Sequence, residues 1–202
     1  MEHYLAIFYK ALFNQNVIVA LGLGLYSVFK FSERIRMAFW FGLVIFLSVT
    51  LSTIINSVLY HYVIKPDALA WVGYHGLDLS ILKYFLYFGT IAAVMKLIEL
   101  VLTKLDFMDL STVENFYPLA ILNSAILCAA LLAEQNNYLV LESTIFGVGS
   151  GLGFLFMIMV IAGLRNRMEY SDIPESLNGL GIFFMTIGIL AMVFLSFSSL
   201  KI

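Results

Sequence analysis

The stretch NFYPLAILNSAILCAAL, residues 115–131, is apolar enough to enter a bilayer, yet it holds Pro118, Asn123, Ser124 and Cys128 near its middle. Proline cannot donate its backbone N–H and clashes with the preceding turn, so it either kinks a helix or breaks it. A helix restarting after such a break presents free N–H groups and the positive end of its dipole, a place for something negative or electron-rich. Lys96 and Glu99 sit deep in another apolar run. Three residues apart, they share a helical face and can pair. A charge at the bilayer centre costs about 2.5–3.5 kcal/mol on insertion scales, so such residues usually face the protein interior; a pair nearer the headgroups can instead anchor the helix, with the lysine snorkelling. His3, His61 and His75 fall near span ends or in loops, where single histidines are usually solvated, and no His/Cys/carboxylate spacing suggests zinc. GVGSGLG (147–153) lacks the Lys-Ser/Thr of a phosphate loop. Its overlapping pairs Gly147/Gly151 and Gly149/Gly153 instead suit close helix packing. No Ser/His/Asp set or nucleotide motif is present, and a single cysteine excludes an internal disulfide.

The elements that position these residues follow from composition. The chain has 202 residues, 62% hydrophobic and 12% charged, with a mean hydropathy of +0.97. Soluble domains carry about 45–50% apolar and about 25% charged residues, so this is an all-α integral membrane protein in contact with the lipid bilayer. The net charge of −2 says little about partners, and no basic, aromatic-interleaved patch suggests nucleic acid. The opening MEHYLAIFYK lacks the features of a signal peptide. Spans of about 20 residues fit between the charges as six helices, 4–29, 37–62, 79–104, 110–133, 141–164 and 176–199. Lys30, Arg34, Arg36, Lys104, Arg165 and Arg167 cluster in the odd loops. The positive-inside rule then makes those loops cytoplasmic and the termini outward-facing, periplasmic in a bacterial inner membrane.

The chain reads as one membrane domain, 1–202, made of two three-span units, 1–105 and 106–202. Both begin with an interrupted span, at Asn14–Asn16 and at Pro118, and both place a Pro/Asp loop before the third span, IKPDAL (64–69) and YSDIPESL (170–177). Three is odd, so the second unit is inverted in the membrane. Inverted repeats with broken helices place sites near the midplane, where unwound backbone survives only if protein or water satisfies it.

Several blocks carry a resemblance: MEHY (1–4), KPDAL (65–69), IAAVMKLIELVL (91–102), ESTIFGVGSGLGF (142–154), AGLRNRMEYSDIPESLNGLGI (162–182) and LAMVFLSFS (190–198). The chain resembles, over its whole length, the family formed by the D and E subunits of the Na+-translocating NADH:quinone oxidoreductase and the A and E subunits of Rnf-type complexes. The likeness is strongest to the E subunit of the oxidoreductase. The resemblance implies six helices as an inverted three-plus-three repeat with broken spans one and four. It also implies pairing with a homologous, inverted partner of the D type, and flavin-bearing membrane subunits nearby. In that family each broken span presents a cysteine, and two from each of the paired proteins hold a 2Fe-2S centre that relays electrons across the membrane, with NADH oxidised, a quinone reduced and sodium exported.

This chain departs from the pattern. The family's two cysteines fall at Tyr26 and Ser124. Iron–sulfur clusters need thiolates, commonly four, so the cluster is expected to be absent or altered. Cys128 lies one helical turn after Ser124 on the same face; it is either a substitute ligand reached by a register shift or a small packing residue. With the cluster gone, the Tyr26 ring is expected to fill the gap, its hydroxyl bonded to Ser124 or a backbone carbonyl. The family carries an acid at the position of Glu99, and the resemblance implies that Glu99, with Lys96 beside it, belongs to an ion path or a subunit contact; the family commonly has a neutral residue at the position of Lys96, and a local Lys96–Glu99 pair would neutralise the cation-attracting charge. The expected function is a membrane subunit of a redox-driven sodium translocase with no complete catalytic site of its own. The alternative is a non-redox scaffold or ion-conducting relative.

Overall fold

A computed structural model describes residues 2–65, 68, 79–104 and 110–198. His75 and the end of the IKPDAL loop lie outside the described residues. Among them all regular structure is helical: α1 (Glu2–Tyr9), running into a π-turn (Lys10–Asn14); α2 (Leu25–Phe31); α3 (Ile35–Leu59), running into a second π-turn (Tyr60–Ile64); α4 (Lys83–Lys104); α5 (Leu110–Ile121); α6 (Ser124–Gln135); α7 (Val140–Met168); and α8 (Leu180–Ser198). Four helical segments are long and apolar enough to cross a membrane, Ile35–Ile64, Lys83–Lys104, Phe116–Gln135 and Val140–Met168, and a shorter apolar helix covers Leu180–Ser196. The expected second, third and fifth spans therefore correspond to continuous helices, and the fourth to α5 and α6 with two residues between them. The first is α1, its π-turn and α2, separated by ten residues of turns.

At the centre α3 and α7 pack side by side in opposite directions. Ser57 meets Ser143, Thr53 meets the position of a Cβ on Gly147, Phe46 that of Gly151, and Gly42 faces Leu155 and Ile158. In a bilayer, lipid tails are as apolar as leucine, so close packing and interhelical hydrogen bonds drive association. The glycines make it close. A Cβ on Gly151 would stand 2.9 Å from the Phe46 carbonyl oxygen and 3.1 Å from its Cα. The second glycine pair serves a different neighbour: Cβ atoms on Gly149 and Gly153 would meet the carbonyl oxygens of Phe8 and Leu12, at 3.0 and 3.1 Å. The two overlapping glycine pairs thus admit α3 on one face and the first π-turn on another. A cluster of Phe31, Phe41, Phe116 and Phe154 fills the centre, with Phe31 stacked on Phe41 at 4.3 Å between ring centroids.

The bundle has two polar ends. At one, His3 bonds Glu142, Lys10 bonds Asn136 and Lys83 pairs with Glu134, each at 2.8 Å. His61, half-buried, bonds the Ser57 carbonyl at 2.9 Å, whereas His3 is exposed. At the other end Arg165 of α7 donates to the Phe29 carbonyl at 2.5 Å and to Ser32 Oγ at 2.8 Å, with its guanidinium over the Phe29 ring. A cation donating to the last-turn carbonyls of α2 complements the negative end of that helix. Beside it lies a polar cleft of about 610 Å3 lined by Glu33, Arg34, Asn166 and Glu169 among others.

We predict that Gly151→Ala lowers stability by about 1–3 kcal/mol, because the new methyl forces α3 and α7 apart. Gly163→Ala, where a Cβ meets nothing within 4 Å, should be neutral or gain about 0.5–1 kcal/mol of helix propensity. Thermal midpoints in detergent measure both; equal midpoints for the two variants would refute the close approach.

Candidate functional site

Two interruptions of helix meet inside the bundle. The first opens where the π-turn ends. Asn16 is buried; its Nδ2 donates to the Leu12 carbonyl at 2.9 Å, and its Oδ1 accepts from the N–H of Ile18 and Val19 at 3.1 and 3.4 Å. One side chain thus closes the outgoing turn and opens the next. The non-helical run extends well beyond the expected Asn14–Asn16, to Gly24, because Gly22 and Gly24 adopt φ of +65° and +73°, a region costly for side-chain-bearing residues. Gly24 caps α2.

The second interruption corrects an expectation. The helix does not break at Pro118, which lies inside α5; it stops at Ile121 and restarts at Ser124. Proline removes one donor and weakens that turn, but the stop is made by Asn123. Its backbone is extended, and its Oδ1 accepts from the Ala125 N–H at 3.0 Å. This is the local competition with helix bonding that makes asparagine an N-cap.

The two interruptions are bonded to each other. The Gly24 N–H donates to Ser124 Oγ at 3.2 Å across 100 residues of sequence. Asn123 Nδ2 donates to Ser27 Oγ at 3.0 Å, and Ser27 Oγ donates to the Gly24 carbonyl at 2.7 Å. A Cβ on Gly24 would stand 2.7 Å from Asn123 Oδ1 and 3.2 Å from the Phe154 ring, so the position has no room for a side chain. The N-termini of α2 and α6 are thereby brought side by side.

The expected site residues distribute unevenly over this junction. Ser124 is in it, as a hydrogen-bond acceptor. Tyr26 is not: it is 69% exposed on α2 and does not fill a gap beside Ser124. The physical reason is that Gly24 and Asn123 already touch, which leaves no central gap, and α2 turns its second residue outward. Tyr26 and the 78%-exposed Leu122 face away from this chain. Cys128 is half-buried and packs against the central apolar cluster. Lys96 and Glu99 pair at 3.0 and 3.1 Å; the Lys96 side chain is 56% exposed and lies over the Tyr117 ring at 5.4 Å, whereas Glu99, 23% exposed, lines a small apolar pocket with Met95 and Phe116. Two sets of roles are not evident from the sequence: the capping bonds of the buried asparagines Asn16 and Asn123, positions it singles out without that role, and the Lys83–Glu134–Tyr87 set. An Asn immediately before an apolar run is the N-cap signal that marks the first of these.

The donor set does not fit half of an iron–sulfur centre. The junction offers a serine hydroxyl and backbone amides, the one thiol of the chain is committed to packing a turn away, and phenol and serine oxygens are poor substitutes for thiolate.

We predict that Asn123→Ala, which removes a cap and the bond to Ser27, costs about 1 kcal/mol for the cap alone. Asn123→Asp, which keeps the acceptor, should recover most of that part. Gly24→Ala should be worse than either. Recovery of folded chain and thermal midpoint measure all three; an Asn123→Ala chain as stable as the unaltered one would remove Asn123 as the pin of the junction.

Residues 4–201 match the family model described as Rnf-Nqr subunit, membrane protein. The chain is 36% identical to the E subunit of the Na(+)-translocating NADH-quinone reductase of Psychromonas ingrahamii, 37% to that of Pseudomonas aeruginosa and 39% to that of Saccharophagus degradans. Each comparison spans 202 residues and the whole of both chains. With its apolar helices and a match over residues 4–201, this multi-pass membrane protein belongs to the Rnf-Nqr subunit family.

Proposed function

We propose that the chain is the E-type membrane component of a redox-driven sodium translocase of the NADH:quinone reductase or Rnf type, in a bacterial inner membrane. The observation that carries this reading is the end-to-end likeness to proteins named as the E subunit of such a reductase. The chain acts within an assembly; no complete catalytic site lies in it. Six crossings arranged as an inverted pair, 1–105 and 106–202, with interrupted spans one and four and periplasmic termini, are part of the proposal. The antiparallel course of α3 and α7 supports it, as does the bond from Gly24 to Ser124, whose partners are 100 residues apart. A homologous D-type partner, with flavin-bearing subunits beside it, would cover exposed Tyr26, Leu122 and Ser124. Without such cover, a polar junction would face hydrocarbon.

The donor set favours a second reading of the chain's role within that assembly. Tyr26 and Ser124 occupy the places where the resemblance implies cluster cysteines, and neither is a thiolate. The chain then keeps the scaffold and the ion-coupling core without holding its half of a 2Fe-2S centre, while Glu99 and Lys96 serve at an ion path or subunit contact. Electron relay through an altered centre, with Cys128 as substitute ligand, is the competing reading.

Iron analysis of the purified assembly separates them. Tyr26→Cys with Ser124→Cys, beside a cysteine-bearing D-type partner, should raise bound iron; Cys128→Ala alone should leave iron content unchanged. Loss of iron in Cys128→Ala would establish the altered centre instead. Sidedness is checked in the Cys128→Ala background: Ser171→Cys and His3→Cys should react with an impermeant maleimide from opposite faces, and labelling of both from one face overturns the topology.

A further inference from the structure

A second polar region lies away from the junction. Glu134 of α6 accepts from Lys83 Nζ at 2.8 Å and from the Tyr87 hydroxyl at 3.1 Å, both on α4. Beside it is a cavity of about 10 Å3 whose walls include Glu134, Tyr87, His61, Tyr138, Ser57 and Ser143. That is about the space one water molecule needs, and the walls offer it several partners. The floor is the Ser57–Ser143 pair, Oγ to Oγ at 3.0 Å. One residue before Ser57, Asn56 Oδ1 accepts from the Thr90 hydroxyl of α4.

Polarity continues inward from there. Ser52 and Thr53 lie one turn deeper on α3, and Ser150 lies about two turns beyond Ser143 on α7; all three are buried. Their hydroxyls, and Asn56 Nδ2, make no hydrogen bond to any protein group. Thr50 of α3 likewise has no partner, whereas other hydroxyls of the bundle bond the backbone. Ser48, Thr144 and Thr186 each donate to the carbonyl four residues back, at 2.7 to 2.8 Å. A buried hydroxyl or amide without a partner is costly in an apolar medium, and protein interiors normally satisfy such groups with ordered water.

We propose that a file of water enters this chain at the Lys83–Glu134 end and runs between α3, α4 and α7 as far as Ser52 and Ser150, bridging the orphaned groups. The Glu134 carboxylate, held by Lys83 and Tyr87, forms the mouth; Asn56 with Thr90, and Ser57 with Ser143, form the neck. The route gives water access from one polar end of the bundle to the interior of the α3–α7 interface. It is independent of the redox reading, since neither Tyr26, Ser124 nor Cys128 lines it.

The probe is the silver ion, which travels where water does and binds thiolates. In the assembled complex, with Cys128→Ala as background, Ser52→Cys, Thr53→Cys and Ser150→Cys are exposed to silver in intact membranes, and the thiols left free are then counted with a maleimide after unfolding. The control is Ile158→Cys, fully buried two turns past Ser150 on the same helix. The three test positions should be protected at least tenfold faster than the control, and Ala133→Phe at the mouth should slow them. Rates equal to the control overturn the file. Should the substituted chains fail to accumulate, the unaltered complex decides by hydroxyl-radical footprinting. Met95 and Met157 are both buried in the same apolar cluster, but Met95 accepts from Ser48 Oγ one turn below Ser52 and, standing next to the end of the file, should oxidise several-fold faster than Met157. Equal oxidation of the two overturns the file.

Discussion

Hydrocarbon offers no hydrogen-bond partner, so a chain that leaves the helix inside a membrane has to satisfy its own backbone. This molecule does so with two asparagines and a serine. Asn16 takes the place of a backbone turn at one interruption, bonding Leu12, Ile18 and Val19. Asn123 does the same at the other, bonding Ala125 and reaching across to Ser27. Ser124 then accepts the Gly24 N–H. Each interruption supplies what the other lacks, which is why they must lie together, and why Gly24 has no room for a side chain.

Packing around that junction follows from the same solvent. With no gain from moving leucine out of lipid and into protein, helices hold by approach distance. α7 makes close approaches to two neighbours at once by presenting a glycine pair to each. Gly147 and Gly151 admit α3, while Gly149 and Gly153 admit the first π-turn, with a Cβ on Gly153 standing 2.8 Å from Asn16 Nδ2. The glycines therefore seat α7 against the residue that holds the first interruption open.

Sequence reasoning recovers what depends on solvent and period. Apolar intervals between charges locate α3, α4, α6 and α7, and the spacing of small residues identifies the packing face of α7. It misplaces what depends on which side chain wins a local competition. Pro118 is the conspicuous helix breaker, yet α5 continues through it, because a missing donor costs one bond whereas Asn123 offers the backbone an alternative partner. The first interruption is legible at Asn14–Asn16, but its length is not, since that depends on positive φ at Gly22 and Gly24. Analogy with a buried ligand points Tyr26 inward. A ring cannot occupy a place that Gly24 and Asn123 have already closed by touching, so it turns outward. The Lys83–Glu134–Tyr87 set is invisible in the sequence because Glu134 stands 47 and 51 residues from its two partners and the three belong to no motif.

The Arg165 contact has a mechanical consequence. α2 is only seven residues long, and one partner grips both of its ends: Phe154 lies against Gly24 at its start, and Arg165 holds the Phe29 carbonyl and Ser32 at its finish. Both grips come from α7, a single 29-residue rod. The short helix is thus clamped like a rung and has no independent stiffness or freedom to tilt. A displacement of α2 would therefore bear on α7 at Phe154 and Arg165 together, and on Ser124 at the start of α6.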